Sequence, residues 1–417
     1  MNAAARSPAS PRAAHPHTAH ARPARRAVLL GPAFVAAIAY VDPGNFAPNF
    51  AAGSSLGNQL LRVVAGASAL AVLVQFLSAK LRLATGRDLA SLCRGRYPRP
   101  VVAGLWVTAE LVLLATDLAE VVGGVIGLEL LFGTPPLPAA LITCAVSFAL
   151  LALHSRGVRT FTRAITGLLA VITLGFLFNI VRAGVDPGAV AGGLVPGHPG
   201  PDGVLLALGI LGATVMPHAI FLHSALAAAN RSGDPRAALT RTRREILVAL
   251  GLAGLVNAAM VVLAARVFHN DALSGSQGVA TLEEIHAGLA PRLGEAASLA
   301  FALALLASGF ASSAVGTLAG QIVMEGFLRC GIPLLARRTA TMAPALAVVA
   351  LGVSTTSALV WSQVLLTLGL PFVLVPLIAL TRDRSLMGPL ANRPATTTCA
   401  ALAAALVVLL NLMLLSL

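Results

Sequence analysis

Long apolar runs alternate with short basic connections along this chain, and the runs have the length of membrane spans rather than of core helices. About 20 predominantly apolar residues suffice to cross a bilayer as a helix. Eleven such windows are present, at roughly 28–52, 59–79, 101–126, 137–153, 161–181, 203–229, 246–265, 296–322, 339–354, 359–380 and 397–416. The pattern predicts an all-α polytopic membrane protein.

Polar positions inside those runs carry the next information. Asp42-Pro43-Gly44-Asn45 interrupts the first run and Met216-Pro217-His218 the sixth. Proline lacks an N–H and glycine tolerates unusual backbone angles, so a helix should break at both places. Broken spanning helices persist where the freed backbone lines a cavity or binds an ion. Breaks in spans one and six are where an inverted five-plus-five repeat puts its discontinuous helices. The expected organisation is a transmembrane domain over 27–416: repeat one at about 28–181, repeat two at about 203–380, and an extra helix at about 397–416. No residue-level repeat accompanies it, so the symmetry rests on break positions and topology.

Composition agrees with the spans. Of 417 residues, 57% are hydrophobic and 11% charged, and mean hydropathy is +0.86, which fits a membrane protein. A net charge of +13 would suggest nucleic acid in a soluble chain. Here all but four of the 29 Lys and Arg fall on one side of the predicted spans, the exceptions being Arg62, Arg182, Arg266 and Arg292. That asymmetry is the positive-inside pattern and argues against a nucleic-acid partner. It predicts a cytoplasmic N-terminus and, with eleven spans, an extracellular C-terminus. Residues 1–26, rich in Ala, Pro, Arg and His, read as a disordered cytoplasmic tail. Their composition also resembles a transit peptide. His15, His17 and His20 read as part of that solvated tail. Cys93, Cys144, Cys330 and Cys399 show no CxxC spacing, against a disulfide framework or thiolate metal site. No HExxH, GxSxG or Ser/His/Asp order appears in the spans, so no enzyme is expected. Nothing indicates an oligomer.

The breaks then acquire chemistry. A carboxylate in mid-membrane costs about 2.5–3.5 kcal/mol on insertion scales, so Asp42 should face a cavity with a partner. Asn45 offers an amide oxygen one turn on, and the break frees upstream carbonyls, Ala39 foremost. Together these make a hard, oxygen-rich half-site. Asp-Pro-Gly alone is an ordinary turn sequence; a second copy, Asp186-Pro187-Gly188, is expected to be a turn in an extracellular loop. At the other break Pro217 frees carbonyls including that of Ala213, and Met216 offers a thioether. Sulfur adds little for Mg²⁺ or Ca²⁺ but favours softer divalent ions. His218, one residue past the break, suits a proton or gating role. His223, further along, reads equally as a packed histidine. In the third span Glu110, Asp117 and Glu120 stand at offsets of seven and three, near one helical face. They predict a polar interior path: a proton relay, ion pairing to Arg337 or Arg338, or both. Gly316 and Gly320 in span eight predict close helix packing.

Seven segments, in order, resemble the Nramp family of proton-coupled divalent-metal transporters. Besides the two break motifs they are Gln75-Phe76-Leu77-Ser78-Ala79-Lys80, Ala84-Thr85-Gly86-Arg87-Asp88-Leu89, Ala115-Thr116-Asp117-Leu118-Ala119-Glu120, the stretch Ala319-Gly320-Gln321-Ile322-Val323-Met324-Glu325-Gly326-Phe327, and Leu370-Pro371-Phe372. The resemblance covers about 28–416. It implies a LeuT-type fold in the plasma membrane and alternating-access uptake of Mn²⁺, Fe²⁺ or related ions, bound as substrate with no resident cofactor. It implies metal ligation by Asp42, Asn45 and Met216, with the carbonyls of Ala39 and Ala213. It implies a proton pathway through His218, Asp117, Glu120 and Glu110, with Arg337 and Arg338 accepting or gating. Gln75, His223, Gly369 and Ala219 are expected beside the site. Two positions depart from the family's habit: Ala219 follows Met-Pro-His where Asn is frequent, and Gly369 precedes Leu-Pro-Phe where Gln is frequent. The rival expectations are an amino-acid or organic-cation symporter of the same fold, and a passive divalent-metal channel.

Overall fold

The computed structural model describes residues 31–155, 157–197, 200–227, 235–269 and 281–416. Secondary structure among these residues is helical. In chain order the helices are α1 (Pro32–Ile38), α2 (Pro43–Leu56), α3 (Leu61–Thr85), α4 (Leu89–Arg96), α5 (Arg99–Phe132), α6 (Pro136–Ser155), α7 (Val158–Ala183), α8 (Pro187–Gly193) and α9 (Gly200–Thr214). They continue with α10 (Pro217–Leu226), α11 (Pro235–Phe268), α12 (Leu282–Leu293), α13 (Glu295–Leu328), α14 (Leu334–Ala350), α15 (Thr355–Arg382), α16 (Arg384–Met387) and α17 (Pro394–Ser416). The predicted tail, with its three histidines, and the end of the sixth window at 228–229 lie outside the described residues.

Helix occupies every one of the eleven apolar windows. Nine helical stretches among the described residues are long and apolar enough to cross a membrane. The difference from eleven has two physical causes. Pro43–Thr85 runs through the 3₁₀ turn Gly57–Leu60 as one stretch, with Pro32–Val41 left as a short apolar helix on the other side of Asp42. And α14 has only 17 residues, including Arg337 and Arg338. Those two arginines are 4% and 0% exposed. They belong to the packed interior and drop out of the loop charges that argue orientation.

The predicted breaks are real and have local causes. Asp42 adopts extended backbone (φ −74°, ψ 167°) and its carboxylate accepts from the Asn45 N–H at 3.1 Å. Pro43 takes the first helical position, where a missing N–H costs nothing. Met216 is likewise extended (φ −83°, ψ 114°) ahead of Pro217. Asp186-Pro187-Gly188 was expected to be a turn and is instead the start of α8. Asp186 accepts from the Gly188 N–H at 2.8 Å, the same aspartate cap and proline start that open α2.

The long central helices α5 and α13 pack on each other, and α7 and α15 pack on that pair. The broken spans mate crosswise: α1 packs on α10, and α2 on α9. Fully buried Phe46 and Phe50 of α2 meet Phe176 of α7 and Phe301 of α13, with ring centroids 5.2–6.3 Å apart. Three of the four contacts are edge-to-face, a geometry that adds about 0.5–1.5 kcal/mol each beyond burial. They fix α2 to the scaffold directly beyond the first break.

Candidate metal site

Opening a helix inside a bilayer exposes carbonyls that need partners. Two neighbouring helices supply them here. Asn257 of α11 donates its amide to the Tyr40 carbonyl at 2.8 Å, and Ser308 of α13 donates to the Val41 carbonyl at 2.5 Å. Asn49, one turn past the break, donates in turn to Asn257 at 3.1 Å. The break is therefore held from two helices, α11 and α13.

Around it lies a set of buried polar atoms with no hydrogen-bond partner among the described residues. Asp42 accepts from the Asn45 amide at 2.7 Å through one oxygen, and its Oδ2 is unpartnered. So are Asn45 Oδ1, Thr214 Oγ1 and Gln363 Oε1. Buried polar groups are almost always satisfied, so each exception needs an explanation, and several around two mated breaks share one. Met216 and Ala213 are fully buried at the second break. Gln363 of α15 lies against the first break: a Cβ on Gly44 would collide with its amide. One carboxylate, several neutral oxygens and one thioether make a donor set for a single dehydrated divalent cation of intermediate softness. Among the described residues no group of three or more His, Cys, Asp and Glu side chains is placed to hold a metal, and the donors around the breaks include a single carboxylate, that of Asp42.

Gln363 was not anticipated, and Gly369 was misplaced. Gly369 faces α5, where an added Cβ would strike the Val112 side chain. Val112 lies eleven residues before Gly123, whose own Cβ position is filled by Pro43 of the first break. Eleven residues of helix span about 16 Å, so Gly369 packs well away from the break. A buried, unpartnered amide oxygen does lie beside the first break, but it belongs to Gln363, eight residues before Pro371. Ala219 is buried on α10 and brings no polar atom.

The acidic face of α5 is resolved into three different environments. Glu110 accepts from Arg337 at 2.8 Å, and Asp117 pairs with Arg338 at 2.5 Å with both side chains buried. Arg338 also donates to Ser313 of α13. The ion-pairing expectation thus holds for both arginines. Glu120 has neither oxygen hydrogen-bonded among the described residues, though it is fully buried. The glycines of α13 make this room: a Cβ on Gly316 would lie 2.8 Å from a Glu120 oxygen, and one on Gly320 would lie 2.6 Å from the Arg337 guanidinium. His218 reaches the same helix. Its Nδ1 is 3.2 Å from the Thr116 hydroxyl, which already donates to the Val112 carbonyl, so His218 is the donor. Its Nε2 is unpartnered among the described residues. His223 and Gln75 form a separate chain to the first break: His223 Nδ1 lies 2.7 Å from Gln75 Oε1, and Gln75 donates to the Tyr40 hydroxyl at 2.5 Å. A cavity of about 750 Å³ lies elsewhere, between the end of α2, α8 and the end of α11, lined by Asn58, Asp186, Arg266 and His269.

Comparison with known proteins agrees with these motifs. The pattern of the family described as natural resistance-associated macrophage protein-like, Nramp, matches residues 33–417. A divalent metal cation transporter MntH of Aeromonas hydrophila is 48% identical over 393 residues, covering 93% of this chain and 96% of that protein. A crystal structure of a mutant Eremococcus coleocola manganese transporter superposes with a TM-score of 0.81 at 33% identity, covering 94% of this chain and 88% of that one. A nucleobase-cation-symport-1 family transporter superposes at 0.55 with 16% identity over 84% of this chain and 77% of that one, a likeness of fold alone.

Proposed function

The chain belongs to the Nramp family, a family of transporters and not of enzymes, with a LeuT-type fold; on that premise we propose that it imports divalent transition-metal ions, Mn²⁺ or Fe²⁺ foremost, together with protons by alternating access. The observation that carries the reading is the convergence of unpartnered oxygens from Asp42, Asn45, Thr214 and Gln363 with buried Met216 at two mated helix breaks. The metal is substrate, and its waters are exchanged for these donors and for the carbonyls of Ala39 and Ala213. Asp42 supplies the one negative charge. Met216 biases the site against Ca²⁺ and Mg²⁺.

Metal binding favours ionised Asp42, so any proton held there leaves. The proposed route runs through His218 and Glu120 to Asp117 and Glu110, whose arginine partners set which carboxylate holds charge. We place the protein in the cell membrane with its N-terminus in the cytoplasm, on the distribution of its loop charges, and read 28–181 and 203–380 as the two repeats with α17 added outside them. A symporter of amino acids or organic cations would need a pocket for an amine or carboxylate, and a lone aspartate beside a thioether is a poor one.

Proteoliposomes carrying an internal pH dye test the proposal. Mn²⁺ uptake should be driven by an inward proton gradient, vanish in Asp42→Ala, and lose its pH dependence in Asp117→Asn. Normal uptake by Asp42→Ala would reject the site. Unchanged proton movement in Asp117→Asn would reject the route.

A further inference from the structure

Proline at position 371 leaves a specific defect in α15. Pro371 has no N–H, so the carbonyl four residues earlier, that of Thr367, loses its intrahelical donor. In water such a carbonyl would be solvated. In a bilayer it needs a protein donor. Asn411 of α17 meets that need: its side-chain amide donates to the Thr367 carbonyl at 2.9 Å. Asn411 is the one amide of α17, follows an unbroken apolar run over 399–410, and is 6% exposed, and α17 carries no charged residue. A polar residue there has a cost that its partner explains.

The turn of α15 that ends at this carbonyl reaches the candidate metal site. Thr367 donates its hydroxyl to the Gln363 carbonyl at 2.9 Å. Gly212, just before the second break, approaches so closely that a Cβ would collide with the Thr367 hydroxyl and stand 2.7 Å from the Gln363 carbonyl. The Gln363 amide abuts Gly44 in the first break, with Oε1 unpartnered among the described residues. One helical turn thus joins α17 to both breaks.

We propose that Asn411 is a positioning residue for metal binding: by supplying the donor that Pro371 removes, it holds the turn of α15 that ends at Thr367 and so the placement of Gln363 at the site. The eleventh helix, outside the paired repeats, then takes part in the chemistry. This inference rests on the reading of Gln363 as part of a metal site.

The test is Mn²⁺ titration calorimetry on the full chain in lipid nanodiscs, each variant first shown monodisperse by size exclusion. Asn411→Leu and Asn411→Met, neither of which can donate, should each raise the Mn²⁺ Kd by about threefold to tenfold, the range of single hydrogen bonds between membrane helices. Pro371→Ala returns an N–H to the Thr367 carbonyl, so adding Asn411→Leu to that background should leave Kd where Pro371→Ala alone puts it. In a Gln363→Ala background Asn411→Leu should again add nothing. Equal weakening by Asn411→Leu in all three backgrounds would mark a general structural role and overturn the proposal. So would an unchanged Kd in both Asn411 variants while Gln363→Ala weakens binding. Should Asn411→Leu not fold, Pro371→Ala must restore it, and failure to do so also overturns the proposal. Absence of Mn²⁺ binding by the unaltered protein would reject the metal site itself.

Discussion

Replacing Asp117 by leucine should be far more damaging than removing the whole ion pair to which it belongs. Arg338 is fully buried, and its guanidinium is held by Asp117 at 2.5 Å and by Ser313. Taking away the carboxylate strands a cation in the membrane interior, and breaking a buried pair from one side costs about 3–5 kcal/mol. Replacing both partners by apolar groups of similar volume removes the desolvation penalty together with the attraction and is often neutral or better. With an ordinary unfolding entropy per residue, a chain of this size converts that loss to a fall of about 3–6 °C in Tm. Arg338→Met should also destabilise, since it leaves Asp117 buried without its partner. The double variant Asp117→Leu/Arg338→Met should return to within about 2 °C of the starting protein. Thermal denaturation in detergent, followed by the folded fraction on size exclusion, reads all four proteins. If the two single losses simply summed in the double variant, the pair would not be the unit claimed. If neither single variant moved Tm by more than about 1 °C, Arg338 would not be desolvated as its burial states.

Two further outcomes follow from the site. Met216→Ala should retain part of the Mn²⁺ uptake while Ca²⁺ competes on the order of tenfold better, about 1.4 kcal/mol; intact Ca²⁺ exclusion in competitive uptake would show that the thioether does not select. Gly369→Val should overpack the α15–α5 contact at Val112 and cost about 1–3 kcal/mol in thermal stability. Ion selectivity should be unchanged in the same variant, and a shift in the Mn²⁺ to Ca²⁺ preference would return Gly369 to the site.

The parts of this molecule legible in its sequence are those set by local rules. Hydrophobic length located the helices, Pro43 and Pro217 located the breaks, and a seven-and-three spacing put Glu110, Asp117 and Glu120 on one face of α5. Even the pairing with Arg337 and Arg338 was open to reading, because few other cations are available to carboxylates in the membrane. What stayed hidden depends on contacts between distant spans. Gln363 is one uncharged side chain in an apolar run, and only the approach of Gly44 makes it part of the break. Asn257 and Ser308 look like incidental polar residues until the carbonyls of Tyr40 and Val41 are seen to need them. Asp186 misled because an aspartate cap and a turn share one tripeptide, and whether a helix follows depends on the residues beyond it.

The paired arginines of α14 also have a mechanical consequence. Arg337 and Arg338 are neighbours, their Cα atoms about 3.8 Å apart, yet they grip carboxylates seven residues apart on α5, about 10 Å along its axis. A single attachment lets one rod slide or spin against another. Two attachments splayed to this extent resist both shear and torsion. Parting them would break two ion pairs at least partly buried, so α5 and α14 travel as one rigid strut. For the alternating access proposed above, the joints would then lie off this strut, at the two helix breaks of Asp42 and Met216.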